Sequence, residues 1–256
     1  MQELLMLSPR YQDLSMLQWI VAIIGSIGIG ISKAGIKGSG IFFITLIAIF
    51  FGAKESTGLI LPLLITADIF AVLYYKRHTD WKLLLRFIPW IVAGVLLGVW
   101  LGKDMPEEIF KQIMAIIIIV SIAIMFYWEF RKVERVPSEW WFAGGMGITA
   151  GFTTMIGNLA GAFTNIFFLA MRVSKIKFIG TVAMLYLIIN LFKLPFHIWT
   201  WETISTESLT FNLRLIPAVL VGIWIGIKLV KVINEKAFRQ MILILTAIGA
   251  VLIFLK

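Results

Sequence analysis

The stretch RFIPWIVAGVLLGVWLGKDMPEEIFKQIM, residues 86–114, returns without a gap as RLIPAVLVGIWIGIKLVKVINEKAFRQMI at residues 214–242. Arg86 matches Arg214, Pro89 matches Pro217, Gly94 matches Gly222 and Gly98 matches Gly226; further on, Glu107 matches Glu235, Phe110 matches Phe238 and Gln112 matches Gln240, all at one offset of 128. So many coincidences at a single offset mark a duplicated unit, and a repeat decides architecture before any local pattern does. Upstream the match is weaker but keeps the plan: a Gly-rich broken run, a short loop with Lys, then a helix in which Gly58 aligns with Gly180 and Asp68 with Asn190 at an offset of 122. The change of offset places an insertion of about six residues near HIWTWETISTES, and the midpoint falls at RKVERVPSE, residues 131–139.

Composition says what medium the repeat is built for. Of 256 residues 60% are hydrophobic and only 14% charged, about half the usual share for a soluble domain, which excludes a soluble fold. Crossing a hydrocarbon core takes roughly 20 apolar residues. Runs of that kind stand at about 57–75, 83–102, 109–128, 178–194, 213–233 and 237–255. Two further pairs are broken, 15–31 with 40–51 and 140–156 with 161–171, and the second run of each is too short to span comfortably. The expected fold is an all-α polytopic membrane protein, one transmembrane domain over 1–256, with repeat 1 at 15–130 and repeat 2 at 139–256. Each repeat holds a broken helix pair plus three transmembrane helices, eight to ten helices in all. Whether the broken pairs cross or turn back as hairpins is open, but either way each unit crosses an odd number of times. The second copy must therefore be inserted upside down, an inverted-topology repeat of the kind transporters use.

Loop charges give an orientation. One side collects Lys76, Arg77, Lys82, Arg131, Lys132, Arg135, Arg172, Lys175, Lys177, Lys231, Lys236 and Arg239, against Arg10, Lys54 and Lys103 on the other. The positive-inside rule makes the first side cytoplasmic and puts both termini outside, although Lys111 and Lys256 fall on the wrong side. The net charge of +9 is thus explained by topology and not by nucleic acid. Trp199 and Trp201 in the outside loop are expected as interfacial anchors, and His78 and His197 as interfacial groups near span ends. No basic n-region leads into the first apolar run, so no cleaved signal peptide is expected. Without cysteine there is no disulfide, no thiolate zinc site and no Cys nucleophile.

The breaks carry the functional reading. Backbone groups exposed inside a bilayer cost several kcal/mol each, so a break is tolerated only against protein or a water-filled cavity. In SKAGIKGSG, residues 32–40, Gly38 or Ser39 would open the short helix starting at Gly40, and in the second break Asn158 would begin the helix near 161. Two helix N-termini with unpaired N–H groups suit an anion. Lys33 and Lys37 would add full charges, and Thr154 and Asn190 polar contacts. The plainer alternative is an ordinary surface loop, with glycines turning the chain or packing helices closely. Asp68, deep in the span TGLILPLLITADIFAVLYY, fits either a proton-coupling carboxylate or a structural counter-ion to Lys33 or Lys193. Thr149, Thr153, Thr164 and Asn165 are expected mostly in hydrogen bonds between helices. Nothing matches HExxH, GxSxG in context, a Walker loop or a dinucleotide fingerprint, so no enzyme, metal or cofactor is expected.

The motifs GSIGIGISKAGIKGSG (25–40), GAKESTG (52–58), IKFIGT (176–181), RFIPWIVAGVLLGVWLG and its copy RLIPAVLVGIWIG resemble the TauE/SafE family of membrane transporters, over roughly residues 15 to 255. The resemblance implies a bacterial inner-membrane permease of two homologous halves, exporting sulfite or organosulfonates such as sulfoacetate. Partners are then a small anion, the lipid bilayer and, as an open point, a second copy in a homodimer. The first break holds two lysines and the second none, a departure from charge symmetry between the halves. Import of a sulfur anion or another small solute is the near alternative, and an integral-membrane enzyme or scaffold the distant one.

Overall fold

The computed structural model describes residues 11, 13–34, 39–130, 140–171 and 174–232. Among them it is all-helical: α1 (Met16–Lys33), α2 (Ser39–Phe51), α3 (Ala53–Tyr75), α4 (Trp81–Gly102), α5 (Glu107–Phe130), α6 (Trp140–Gly157), α7 (Gly161–Ala170), α8 (Lys175–Trp199) and α9 (Thr206–Val232), with a 3₁₀ turn at Lys76–His78 after α3. By length and hydropathy α1, α3, α4, α8 and α9 each suffice to cross a membrane. The expected run at 237–255, with Glu235, Phe238 and Gln240, lies outside the described residues.

Each broken pair is a helical hairpin. Gly25 and Gly28 of α1 lie against Ile47 and Phe43 of α2, while Gly40 lies against Ser32, so α2 returns antiparallel along α1. In repeat 2, Phe87 of α4 touches both Gly147 of α6 and, ring on ring at 4.2 Å, Phe167 of α7, which likewise places α7 back along α6. At 13 and 10 residues, α2 and α7 reach only about 20 and 15 Å.

The starts of the helices are fixed by local chemistry. Ser15 and Gln18 form a reciprocal capping box on α1. Asp80 accepts the Leu83 N–H at the start of α4. Gly52, at φ 90°, turns the chain from α2 into α3, whose first N–H groups are taken by Glu107 of α5, at 2.6 Å from Ala53 and 3.3 Å from Lys54.

The two halves interlock through glycine. A Cβ on Gly94 of α4 would run into the Ile148 carbonyl of α6, and one on Gly151 of α6 into Ile91 and Val95 of α4. The repeat-related positions behave alike: Gly222 of α9 is pressed on Ile27 of α1, and Gly30 of α1 on Val219 and Ile223 of α9. Without side chains at these points the backbones approach closely, as membrane helices do at small-residue interfaces. Each repeat therefore packs its glycine-bearing span on the other repeat's hairpin. The central helices α3 and α8 run antiparallel: Gly58 near the start of α3 meets Thr203 just beyond α8, Asp68 meets Asn190, and Gly180 near the start of α8 meets Tyr75 and His78. Equivalent positions of α3 and α8 thus lie at exchanged places along the antiparallel pair.

The segment that follows α8 does not lie at an interface as expected. Trp199 is exposed, but Trp201 is buried, donating its indole N–H to the Val99 carbonyl at 3.2 Å and standing against Gly102, Phe110 and His197. His197 is likewise buried, with Nδ1 2.8 Å from Thr203 Oγ1, whereas His78 is exposed. The insertion explains both corrections, because its added residues fold inward over the start of α3 and the end of α8. Glu202 takes a positive φ of 54° in that turn.

Candidate functional site

A cavity of about 150 Å³ lies where the two hairpin tips meet α3 and α8, room for a handful of water molecules. Tip 1 contributes Ser32, Lys33 and Gly40, tip 2 contributes Thr154, Asn158 and Gly161, and the central helices contribute Asp68, Tyr186 and Asn190 among apolar walls. Its lining comes from the C-terminal part of α3 and the N-terminal part of α8, so it sits in the half nearer the lysine-rich end. The opposite half is filled by Trp201, Thr203 and His197.

A continuous polar network crosses the cavity floor. Lys33 Nζ donates to Asp68 Oδ1 at 2.6 Å and stands 4.4 Å from the centre of the Tyr186 ring. Asn190 Nδ2 donates to the other carboxylate oxygen at 2.7 Å, joining the repeat-related positions directly. Lys193, one turn further along α8, is fully buried and donates to Asn158 Oδ1 at 2.5 Å, to the Thr154 carbonyl at 2.8 Å and Oγ1 at 3.3 Å, and to Asn190 Oδ1 at 3.4 Å. Asn158 is held from its other end, Nδ2 donating to the Thr57 carbonyl at 3.1 Å, and its φ of 58° is left-handed. Asn tolerates that conformation better than most residues, and it is what turns the chain between α6 and α7. The Tyr186 hydroxyl meets Thr164 Oγ1 at 2.6 Å on α7.

Lys33 is thus paired with Asp68, whereas Lys193 touches only neutral oxygens, those of Thr154, Asn158 and Asn190. A buried charge without a counter-ion is costly. An anion entering the cavity would meet Lys33 and the N-termini of α2 and α7, whose Gly40 and Gly161 line the wall, while Lys193 stands behind Asn158 and Asn190.

The residues anticipated from sequence divide accordingly. Lys33, Gly40, Asp68, Thr154, Asn158 and Asn190 come together around the one cavity. Ser39 begins α2 and is buried, but is not among the lining residues. Lys37 and Gly38 lie outside the described residues. Asn158 precedes α7 by a turn instead of starting it, since α7 begins at Gly161. Thr149 and Thr153 bond carbonyls of their own helix, Gly145 at 2.8 Å and Thr149 at 2.9 Å, and do not bridge helices. The second break has no lysine of its own, but Lys193 of α8 reaches its Asn158. From sequence Lys193 suggests only a partner for Asp68, and nothing there singles out Tyr186. Their shared signal was position, within one or two turns of Asn190.

The family model described as Sulfite exporter TauE/SafE matches residues 20–253, nearly the whole chain. No curated protein and no solved structure matches it.

Proposed function

The chain belongs to the Sulfite exporter TauE/SafE family, a family of multi-pass membrane transporters, and from that premise we propose that it exports a small sulfur-containing anion such as sulfite or sulfoacetate. Transport is secondary and proceeds by alternating access: the hairpin tips hold the anion in the central cavity while the halves open in turn to either face. The observation that carries this reading is the meeting of two hairpin tips at a cavity sized for a small solute, where the Lys33–Asp68 pair and the amides of Asn158 and Asn190 line the wall and Lys193 bonds both amides. Lys33, Lys37, Ser39, Gly40, Thr154, Asn158 and Asn190 form the substrate site, to which we add Lys193. Asp68 is the proton-coupling group, able to release Lys33 toward the anion when it takes a proton. The lysine-rich ends of α3 and α8 face the cytoplasm of a bacterial inner membrane, and the termini face the periplasm.

Counterflow of radiolabelled sulfite and sulfoacetate in proteoliposomes, with and without an imposed pH gradient, tests the proposal. Saturable uptake that responds to the gradient, and a loss of that response in Asp68→Asn, is the expected result. Flux no greater than in empty liposomes, from protein shown to be folded, would remove these substrates.

A further inference from the structure

At the lysine-rich end, apart from the central cavity, a second cavity of about 460 Å³ lies between the starts of α4 and α8, lined by Asp80, Lys82, Leu83, Arg86, Met171, Ser174 and Lys177. Its volume is in the range of small-molecule sites. Three cations face one carboxylate there, and that carboxylate already accepts the Leu83 N–H at 3.1 Å as the cap of α4. Among the described residues neither Lys82 nor Lys177 enters an ion pair. Ser174 precedes α8 without a side-chain bond to its first turn, so the N–H groups of that turn have no side-chain cap from it. Next in sequence to these polar groups stand exposed apolar side chains, Trp81 at 52%, Leu85 at 62% and Ile176 at 48%.

The repeat supplies a control within the same chain. At the offset of 128, Asp80 corresponds to Ser208, Lys82 to Thr210 and Arg86 to Arg214; at the offset of 122, Lys177 corresponds to Glu55. The equivalent place at the other end of the molecule therefore offers one arginine and one carboxylate in place of three cations. The cap explains one of these differences, since Asp80 caps α4 whereas Ser208 stands within the first turn of α9, but a cap does not call for the two lysines. A leaflet rich in anionic lipid attracts basic groups at about 1 kcal/mol per Lys or Arg.

We propose that this cavity binds the phosphate headgroup of an anionic phospholipid, with Lys82, Arg86 and Lys177 on the phosphate and Trp81, Leu85 and Ile176 along the acyl chains. The site straddles the first turns of α4 and α8, so an occupied site ties the two repeats together at one face. This assignment does not depend on which solute is transported.

The test is binding of phosphatidylglycerol to the delipidated full chain in detergent, followed by native mass spectrometry, against phosphatidylcholine and against inorganic phosphate as competitor. Wild type should retain phosphatidylglycerol over phosphatidylcholine, and Lys82→Gln with Lys177→Gln should weaken retention roughly thirty-fold, the effect of two charges at such a surface. The paired Lys→Arg variant should keep it and serves as the check on folding, and Arg214→Gln at the opposite face should leave it unchanged. Equal retention of both lipids, or an unaffected Gln pair, would overturn the proposal. Displacement of the lipid by millimolar phosphate would reassign the cavity to free anions and overturn it equally.

Discussion

At the scale of single residues, Asn158 and Asp68 carry opposite lessons about charge. Asn158 accepts from Lys193 and donates to Thr57. Asn158→Asp would give Lys193 the counter-ion it lacks, so the variant should unfold at higher temperature yet bind sulfite more weakly. Asn158→Gly, which keeps the backbone turn, should lower both; thermal unfolding in detergent with and without sulfite separates the two. Asp68→Asn leaves Lys33 without its partner in a largely buried place and should cost about 3–5 kcal/mol. Most of that should return in Asp68→Asn with Lys33→Met, and a double-mutant cycle read by unfolding measures the coupling. Asp68 and Asn190 were readable as a pair from the repeat alone. Lys193 was not readable as part of the second break, because its ammonium reaches a tip 35 residues earlier in the chain, a closeness that exists only once α8 lies beside the hairpin.

At the scale of elements, the glycines sort into those that must be glycine and those that need not be. A Cβ on Gly94 or Gly222 meets backbone, which cannot step aside, whereas one on Gly145 meets nothing within 4 Å. Gly94→Ala and Gly222→Ala should each abolish monodisperse expression, with overpacking costs of about 1–3 kcal/mol or more. Gly145→Ala should be neutral or gain up to about 1 kcal/mol from helix propensity. Size-exclusion profiles of the three variants decide it. The helices themselves were legible as apolar runs, and the breaks as interruptions in them. What sequence left open was whether α2 and α7 cross or return, since period and length alone do not say which way a short helix points after a break. The contacts of Gly25 and Gly28 with α2 show that α2 runs back along α1. The tryptophan-rich insertion misled for a related reason: an amphipathic ring suits a membrane surface as well as a glycine-floored recess, and only the seat at Gly102 distinguishes them.

At the scale of the whole molecule, the cavity and the buried cluster of Trp201, Thr203 and His197 lie in opposite halves. The absence of native cysteine allows single-cysteine labelling without background. Val182→Cys, on the cavity wall, should react with a membrane-impermeant maleimide added to the lysine-rich face, while Thr57→Cys, near the buried Trp201 end, should stay protected from both faces until transport substrate is supplied. Equal labelling of both positions without substrate would contradict the separation. The interlock of the halves reaches further, into how the chain is made. The glycine face of α1 is closed by α9, and α9 begins at Thr206 while α1 ends at Lys33. At a synthesis rate of about 5–20 residues per second, α1 waits on the order of ten to thirty seconds in the bilayer before its partner leaves the ribosome. During that interval lipid, the insertion machinery or a foldase must shield a surface that the finished protein never shows, so biogenesis is the stage at which this molecule is most exposed to quality control.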